Sequence, residues 1–111
     1  MVNYDAWLAD AVDAIKFNAY LGVRAAAGKA EDEPDEDLLF LIARTSMLLN
    51  LATMMKVKFW RRREFDKSID HLTNARNGAL DLMHRRGWSD DKISATIESR
   101  MSGQRGQDEN G

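Results

Sequence analysis

The side chains best suited to chemistry in this chain are two histidines and a few carboxylates. Asp81 and His84 stand three residues apart and could share a metal ion, but a di-metal site in a helical bundle needs two such pairs and further glutamates. His71 lies thirteen residues before His84, which places the two on different faces of one helix. Asp10 and Asp13 form another carboxylate pair, without a phosphate-binding glycine loop or a nucleophile motif. We therefore expect no enzyme, no catalytic residue, no metal site and no cofactor.

A cluster of cations and aromatic rings lies in the middle of the chain. From residue 56 to residue 67 it holds six basic residues against Glu64 and Asp66, a local charge of +4 in a chain of net charge −2. A nucleic-acid groove uses cations to contact phosphates and rings to stack on bases. The cluster could equally be a solvated helix end, or a charge partner for an acidic segment of another subunit. Its candidate binding residues are Lys56, Lys58, Trp60, Arg61, Arg62, Arg63 and Lys67.

An acidic segment, Glu31–Asp37, holds six carboxylates around the only proline, Pro34. It could bind a metal or a basic partner, but proline in a first helical turn with acids beside it is typical of a helix start. We therefore predict a helix that begins near Asp35. The acidic segment and the basic cluster lie at opposite ends of this helix, so an antiparallel neighbour would bring opposite charges together.

The elements that must position these residues are predicted to be helices, because apolar residues recur every three or four positions. The predicted segments are about Tyr4–Ala27, Asp35–Trp60, Phe65–Gly87 and Ser89–Met101. The fold class is therefore all-α: a small bundle of three long helical segments and a short C-terminal helix. The apolar phase breaks near Arg61–Glu64, so either a tight hairpin turns there or one kinked helix continues. We expect a single domain over residues 1–101 and a flexible, disordered tail over residues 102–111.

The second segment is apolar around most of its surface, which indicates a central helix in which Leu41, Leu48, Ala52 and Met55 are buried. The first segment carries apolar groups on two sides. Its predicted core stripe is Leu8, Val12, Ile15, Ala19, Val23 and Ala26. The other side carries large apolar groups that a small monomer would leave exposed, and such patches usually mark interfaces. We therefore predict a protein interface formed by Trp7, Phe17 and Leu21, with packing of this side between two neighbours in its own chain as the alternative.

Composition limits the function classes further. The chain has no cysteine, which excludes disulfides and thiolate zinc sites and is typical of a reducing compartment. The start of the chain shows no secretory signal, and Arg44 and Lys56 interrupt its most apolar stretch, so we expect a cytoplasmic protein without a membrane partner. The expected function is that of a small non-catalytic helical interaction protein: a regulator, inhibitor or assembly factor such as phages and mobile elements encode. Its expected partner is another protein or itself, as a homo-oligomer, and nucleic-acid binding through residues 56–67 is the alternative.

Overall fold

The computed structural model describes residues 3–29 and 34–110, with side-chain environments through Arg100. In that part of the chain the elements are helical and no strand occurs, which confirms the all-α prediction. The helices are α1 (Tyr4–Ala26), α2 (Asp35–Ala52), α3 (Arg62–Arg85) and α4 (Asp90–Asn110), and a 3-10 turn (Phe59–Arg61) precedes α3. Among the described helices, none combines the length and the apolar character needed to cross a membrane.

The first three helices form the core, and each of them contacts the other two. α1 and α3 begin at the same end, since the Tyr4 hydroxyl donates a hydrogen bond to the Glu64 carboxylate at 3.0 Å. α2 runs the opposite way, since Arg86, just after α3, forms an ion pair with Asp35 at the start of α2 (2.6 Å). The fourth helix packs mainly against α2.

The centre of the core is built mainly by α2 and α3, whose apolar faces meet. Leu41, Leu48 and Ala52 are buried as predicted, and Met55 is half-buried. Thr45, also buried, satisfies its hydroxyl by donating a hydrogen bond to the Leu41 carbonyl at 2.8 Å in the preceding turn. The other buried residues of these two helices are Leu38, Leu39, Ile42, Phe65, Ser68, Leu72, Ala75, Ala79 and Met83.

The connection between α2 and α3 is a hairpin, but it lies earlier than the Arg61–Glu64 break predicted for it. α2 ends at Ala52, and the chain passes through residues 53–61 before α3 begins. The reason lies in the alternation of side chains after the helix: Met55 and Val57 pack against the core, while Lys56 and Lys58 are exposed. A period of two is typical of extended backbone, not of a helix, so α2 cannot continue to Trp60 as predicted.

The face of α1 that meets the core matches the predicted one only in part: Leu8 and Ile15 of the predicted stripe pack against the core, but its other members are exposed. Trp7 is 1% exposed, whereas Val23, from the stripe predicted to be buried, is 70% exposed. The prediction of an outward interface through Trp7, Phe17 and Leu21 is therefore wrong. Trp7 and Leu21 belong to the core of their own chain, and Phe17 is half-buried against it.

Trp7 accounts for this rotation of α1. Its ring lies 5.3 Å from the Phe65 ring, centroid to centroid, and its indole N–H donates a hydrogen bond to the Leu48 carbonyl at 2.9 Å. Ala11 and Ala14, both buried, allow α1 to approach its neighbours closely on the same face. The aliphatic stripe of α1 has the same three-four period. None of its side chains buries as much surface as Trp7 or donates a hydrogen bond to a carbonyl of the core.

The ends of the helices follow the sequence signals. Gly28 and Gly87 have positive φ angles of 78° and 91°, a conformation that glycine adopts without steric cost. After Gly87, the Ser89 hydroxyl accepts a hydrogen bond from the Lys92 N–H at 3.2 Å, so Ser89 caps α4 as predicted. The backbone of α4 is helical through Asn110, so the fourth helix is longer than predicted. The flexibility predicted for residues 102–111 stays a prediction.

Candidate interaction surface

The connection between α2 and α3 projects two aromatic rings from the bundle. Phe59 is 85% exposed and Trp60 is 65% exposed, and their rings meet edge to face with centroids 5.3 Å apart. The 3-10 turn that carries them follows the extended residues 55–58, so neither ring reaches the core. We name this surface the aromatic–basic tip and define it as Lys56, Lys58, Phe59, Trp60, Arg61, Arg62, Arg63 and Lys67.

Arg61 anchors the tip to the start of α1. Its guanidinium donates to the Asp5 carboxylate at 2.7 Å and to the Glu64 carboxylate at 3.0 Å, and it lies 4.5 Å from the centroid of the Tyr4 ring. The hydrogen bond to Asp5, followed by that to Glu64, raises the pKa of Arg61 above its ordinary value. Arg61 is therefore part of the fold, and its charge is matched by acids of its own chain.

Tyr4 shares this cluster and is perturbed by it. Burial first, and then the hydrogen bond that its hydroxyl donates to Glu64, raises the pKa of Tyr4 to about 12. Its neutral phenol also stacks against Trp7, with ring centroids 5.9 Å apart. The anchor of the tip is thus continuous with the aromatic part of the core.

The other cations of the tip point toward solvent. Arg62 forms an exposed pair with Asp66 at 3.6 Å, and the ammonium of Lys58 lies 5.2 Å from the centroid of the Trp60 ring. Arg63 and Lys67 are both exposed and lie one turn apart on α3. Lys56 would share a helical face with Arg63 and Lys67 if one helix continued through this region, but it lies in the non-helical segment before α3. The tip therefore brings the predicted cations to one end of the molecule on two different backbone elements.

A small cleft adjoins the tip, between the connection and the start of α1. Its volume is about 310 Å3, and its walls include Tyr4, Lys56, Trp60 and Arg61 together with the Asp5 carboxylate. A planar group of the size of a nucleobase or a small side chain fits such a volume. The cleft places one face of the tip beside a concave site, where a bound group would meet cations and a ring.

A second apolar surface follows the outer face of α2. Phe40 is 61% exposed and Met47 is 49% exposed, and Met54 lies exposed in the turn that closes the helix. Between α2, α3 and α4 this face borders a groove of about 720 Å3, to which Leu80 and Ile97 contribute apolar walls. The groove exists because α4 contacts α2 without filling the space between α2 and α3. We name Phe40, Met47 and Met54 the outer stripe of α2.

The acidic start of α2 is partly neutralised within the chain. Asp35 pairs with Arg86 at 2.6 Å, and Glu36 pairs with Arg100 of α4 at 3.2 Å. Asp37 lies in the first turn beside them, where the helix dipole favours a negative charge. The structure confirms a helix that begins at Asp35, and Glu31–Glu33 lie outside the described residues.

Two of the side chains considered first for chemistry, Asp10 and His84, make contacts between helices. Asp10 accepts a hydrogen bond from Arg44 at 2.8 Å, which joins α1 to α2. His84 Nε2 lies 2.6 Å from the Asp90 carboxylate, which joins the end of α3 to the start of α4. Among the residues that the structure describes, no three His, Asp or Glu side chains are placed to hold a metal ion together.

The sequence favours core packing for Met47, Met54 and Met55, with an adaptable binding groove as the alternative, so it does not predict the outer stripe of α2 as a surface. Phe40, Met47 and Met54 are spaced by seven residues, the repeat of a helix seam that meets another helix. The pattern was hidden because α2 is apolar on nearly every side, so these residues could not be told from core residues. The exposure of Phe59 was missed for a related reason, because the helix was expected to continue beyond Ala52.

Comparison of the chain with protein-family models, with curated proteins and with solved structures finds no match.

Proposed function

We propose that this chain is a small non-catalytic interaction protein, and that the aromatic–basic tip is the surface with which it binds an anionic partner. The observation that carries the proposal is the exposure of Phe59 and Trp60, two large rings surrounded by cations and held outside the core. Tryptophan and arginine are the residue types most enriched in binding hot spots. The cytoplasmic location and the regulator, inhibitor or assembly role expected from the sequence belong to this proposal.

An acidic protein surface is the first class of partner that fits the tip. Phe59 and Trp60 are exposed beside each other, so the surface has an apolar part that a partner could bury. Lys56, Lys58 and Arg63 supply an exposed cationic rim beside it. Protein interfaces have this organisation, with an apolar centre and a polar rim whose charge steers the partner.

Single-stranded nucleic acid is the second candidate, and the arrangement of Lys58 and Trp60 favours it. The Lys58 ammonium lies beside the Trp60 ring at 5.2 Å, so a cation for a phosphate and a ring for a base are adjacent. Proteins that bind single strands combine these two features along one surface. The tip also includes Lys56 and Lys67. Because lysine is depleted from protein interfaces, these residues favour nucleic acid over a protein partner.

Two anionic probes test the proposal: labelled polyglutamate and labelled oligodeoxythymidine, each titrated with the protein at low salt and followed by fluorescence anisotropy. We expect the wild-type protein to bind at least one probe, with an affinity that falls as salt rises. Replacing both rings, Phe59→Ala with Trp60→Ala, should weaken binding at least about tenfold, the equivalent of 1.4 kcal/mol. Tyr20→Ala is the matched control, because Tyr20 is an exposed ring of α1 outside both the tip and the outer stripe of α2.

A second pair of variants tests the charges. Lys56→Gln with Lys58→Gln should weaken binding and reduce its salt dependence, because fewer counterions are released. Lys16→Gln with Lys29→Gln removes the same charge from exposed positions of α1 and its C-terminal end, and should leave binding nearly unchanged. Binding of oligodeoxythymidine alone would assign a nucleic-acid partner, and binding of polyglutamate alone a protein partner. The proposal fails if neither probe binds, or if the tip variants bind as the wild type does.

A further inference from the structure

The outer stripe of α2 is suited to pairing with another helix. Phe40 and Met47 are exposed and lie seven residues apart, with the half-buried Ala43 between them on the same side. A seam of this spacing, with a small residue between two large ones, accepts the side chains of a facing helix. Met54 continues the spacing at the end of α2. The stripe covers fifteen residues from Phe40 to Met54. Its helical part, from Phe40 to Ala52, is about 18 Å long, and Met54 lies in the turn that follows.

The stripe is complementary to itself when a second copy runs antiparallel. With Met47 on a two-fold axis, positions equally distant from residue 47 face each other. Phe40 then meets Met54 of the second copy, and Met47 meets its own equivalent. Each apolar side chain of the stripe is covered by another, and the contact closes without leaving an unpaired apolar end.

The charges at the two ends of α2 favour the same arrangement. The start of α2 carries Asp35 and Glu36, which pair with Arg86 and Arg100 of their own chain, and also Asp37. The segment that follows the end of α2 carries Lys56 and Lys58. An antiparallel second copy brings this acidic start opposite those lysines, and it does so twice because the pairing is symmetric. A parallel copy would place like charges together at both ends, which is unfavourable.

Polar groups border the stripe on both sides. Arg44 lies on one flank, where it is held by Asp10 at 2.8 Å and its guanidinium lies 5.9 Å from the centroid of the Phe40 ring. The opposite flank is the groove beside α4, whose walls include Ser94 and Glu98. A helix laid on the stripe therefore meets an apolar centre between polar edges, which is the organisation of a protein interface.

We infer that the outer stripe of α2 binds a second copy of this chain, antiparallel and with Met47 at the two-fold axis. The match of charges rests on the proposed function, since it uses the lysines of the tip, whereas the match of the apolar stripe does not. Phe59 and Trp60 follow these lysines along the chain, at the edge of the pairing.

Sedimentation equilibrium over a range of concentrations measures the association. We expect the wild-type protein to approach twice the 12.6 kDa of the single chain. Met47→Asp should weaken the association at least about tenfold. Val23→Asp introduces the same charge on the exposed stripe of α1 and should leave the association unchanged. Phe40→Ser is the second variant if Met47→Asp loses its helical circular dichroism, and it should have the same effect.

Crosslinking through introduced cysteines tests the orientation, because the chain has no cysteine of its own. Under mild oxidation Met47→Cys should form a disulfide-linked dimer, since a two-fold axis at this position brings the two Cβ atoms within bonding reach. A mixture of Phe40→Cys and Met54→Cys should crosslink to each other, whereas Phe40→Cys alone should not. Val23→Cys is the exposed control and should remain uncrosslinked.

The outcomes separate this inference from the proposed function. A monomeric wild-type protein, an unchanged association in Met47→Asp, or crosslinking of Phe40→Cys with itself would overturn the antiparallel pairing. Loss of association in Val23→Asp would overturn it too and assign the interface to α1. A monomer that still binds polyglutamate at the tip leaves the proposed function standing. A protein that pairs through Met47 but binds neither probe contradicts only the proposed function.

Discussion

Replacing Trp7 by alanine tests the orientation of α1, because the aliphatic stripe and the structure predict opposite effects. If Leu8, Val12, Ile15, Ala19, Val23 and Ala26 faced the core, Trp7 would be a surface residue and Val23 a buried one. The structure has Trp7 in the core, in ring contact with Phe65 and hydrogen-bonded to the Leu48 carbonyl at 2.9 Å. One pair of variants, Trp7→Ala and Val23→Ala, therefore distinguishes the two orientations.

The expected magnitudes follow from these contacts. Truncating a buried tryptophan to alanine costs about 3–5 kcal/mol of unfolding free energy, and the loss of the hydrogen bond to Leu48 adds about 1 kcal/mol. The free energy of unfolding of a small domain is about 5–15 kcal/mol in total, so Trp7→Ala leaves a protein close to unfolding. Trp7→Phe keeps a ring in the core but loses the N–H, and should cost about 1–3 kcal/mol. Val23→Ala, at an exposed position, should change stability by less than about 0.5 kcal/mol.

Urea unfolding followed by far-ultraviolet circular dichroism measures these differences in the free energy of unfolding. The comparison requires that the variants share the same dependence of this free energy on urea concentration. The free energy of unfolding should be lowest for Trp7→Ala and intermediate for Trp7→Phe. For Val23→Ala it should be close to that of the wild type. The reasoning is refuted if Val23→Ala costs more than Trp7→Phe, because α1 would then present its aliphatic stripe to the core. In that case the aromatic side of α1 would again be available as an interface.

Three further predictions concern the anchor of the tip, the glycine inside α3 and the glycine that follows α3. The pKa of Tyr4 is raised to about 12 from an ordinary value near 10, so folding favours the neutral phenol. Its contribution to stability is complete below pH of about 10 and is lost as the pH rises toward 12, and Tyr4→Phe should remove this part of the alkaline loss in a pH series of urea titrations. Gly78→Ala should stabilise the protein by about 0.5–1 kcal/mol, since it lies inside α3 with no heavy atom within 4 Å of an added Cβ. Gly87→Ala should destabilise it by about 1 kcal/mol in the same thermal or urea assay, because its φ of 91° strains any other residue.

The number and order of the helices could be predicted because each helix buries one periodic face. In α3 a single stripe exists, and Phe65, Leu72 and Ala79 of that stripe are buried as the spacing indicates. The glycine after α3 and the serine before α4 mark boundaries through local backbone chemistry, which a sequence carries directly. These features depend on neighbours in the chain and not on the arrangement of the bundle.

The face of α1 could not be predicted from periodicity, because two stripes of equal period compete there. Trp7, Ala11, Ala14 and Leu21 repeat every three or four residues, or seven, just as the aliphatic stripe does. The choice between the stripes depends on partners in other helices, notably the Leu48 carbonyl that accepts from Trp7. Bulk and hydrogen bonding across the bundle decide it, and neither is visible in the spacing of one segment.

The tip was predicted in composition but not in shape. The cations and Trp60 were identified from their clustering, whereas the end of α2 at Ala52 was not, because residues 55–58 were read as helix. Their alternation of core-facing and exposed side chains was the available signal for extended backbone. Where that alternation is taken into account, Phe59 and Trp60 fall beyond the core and the exposure of both rings follows.

The hydrogen bonds of Arg61 preorganise the tip. Because Arg61 is fixed by Asp5, Glu64 and the Tyr4 ring, the 3-10 turn that carries Phe59 and Trp60 is attached to the bundle before any partner arrives. Ordering a side chain on association costs about 0.5–1.5 kcal/mol, and a surface that is already ordered avoids part of that entropy loss. In the binding proposed for the tip, Arg61 would therefore contribute to affinity without touching the partner, because its charge is paired with acids of its own chain and holds the turn in place.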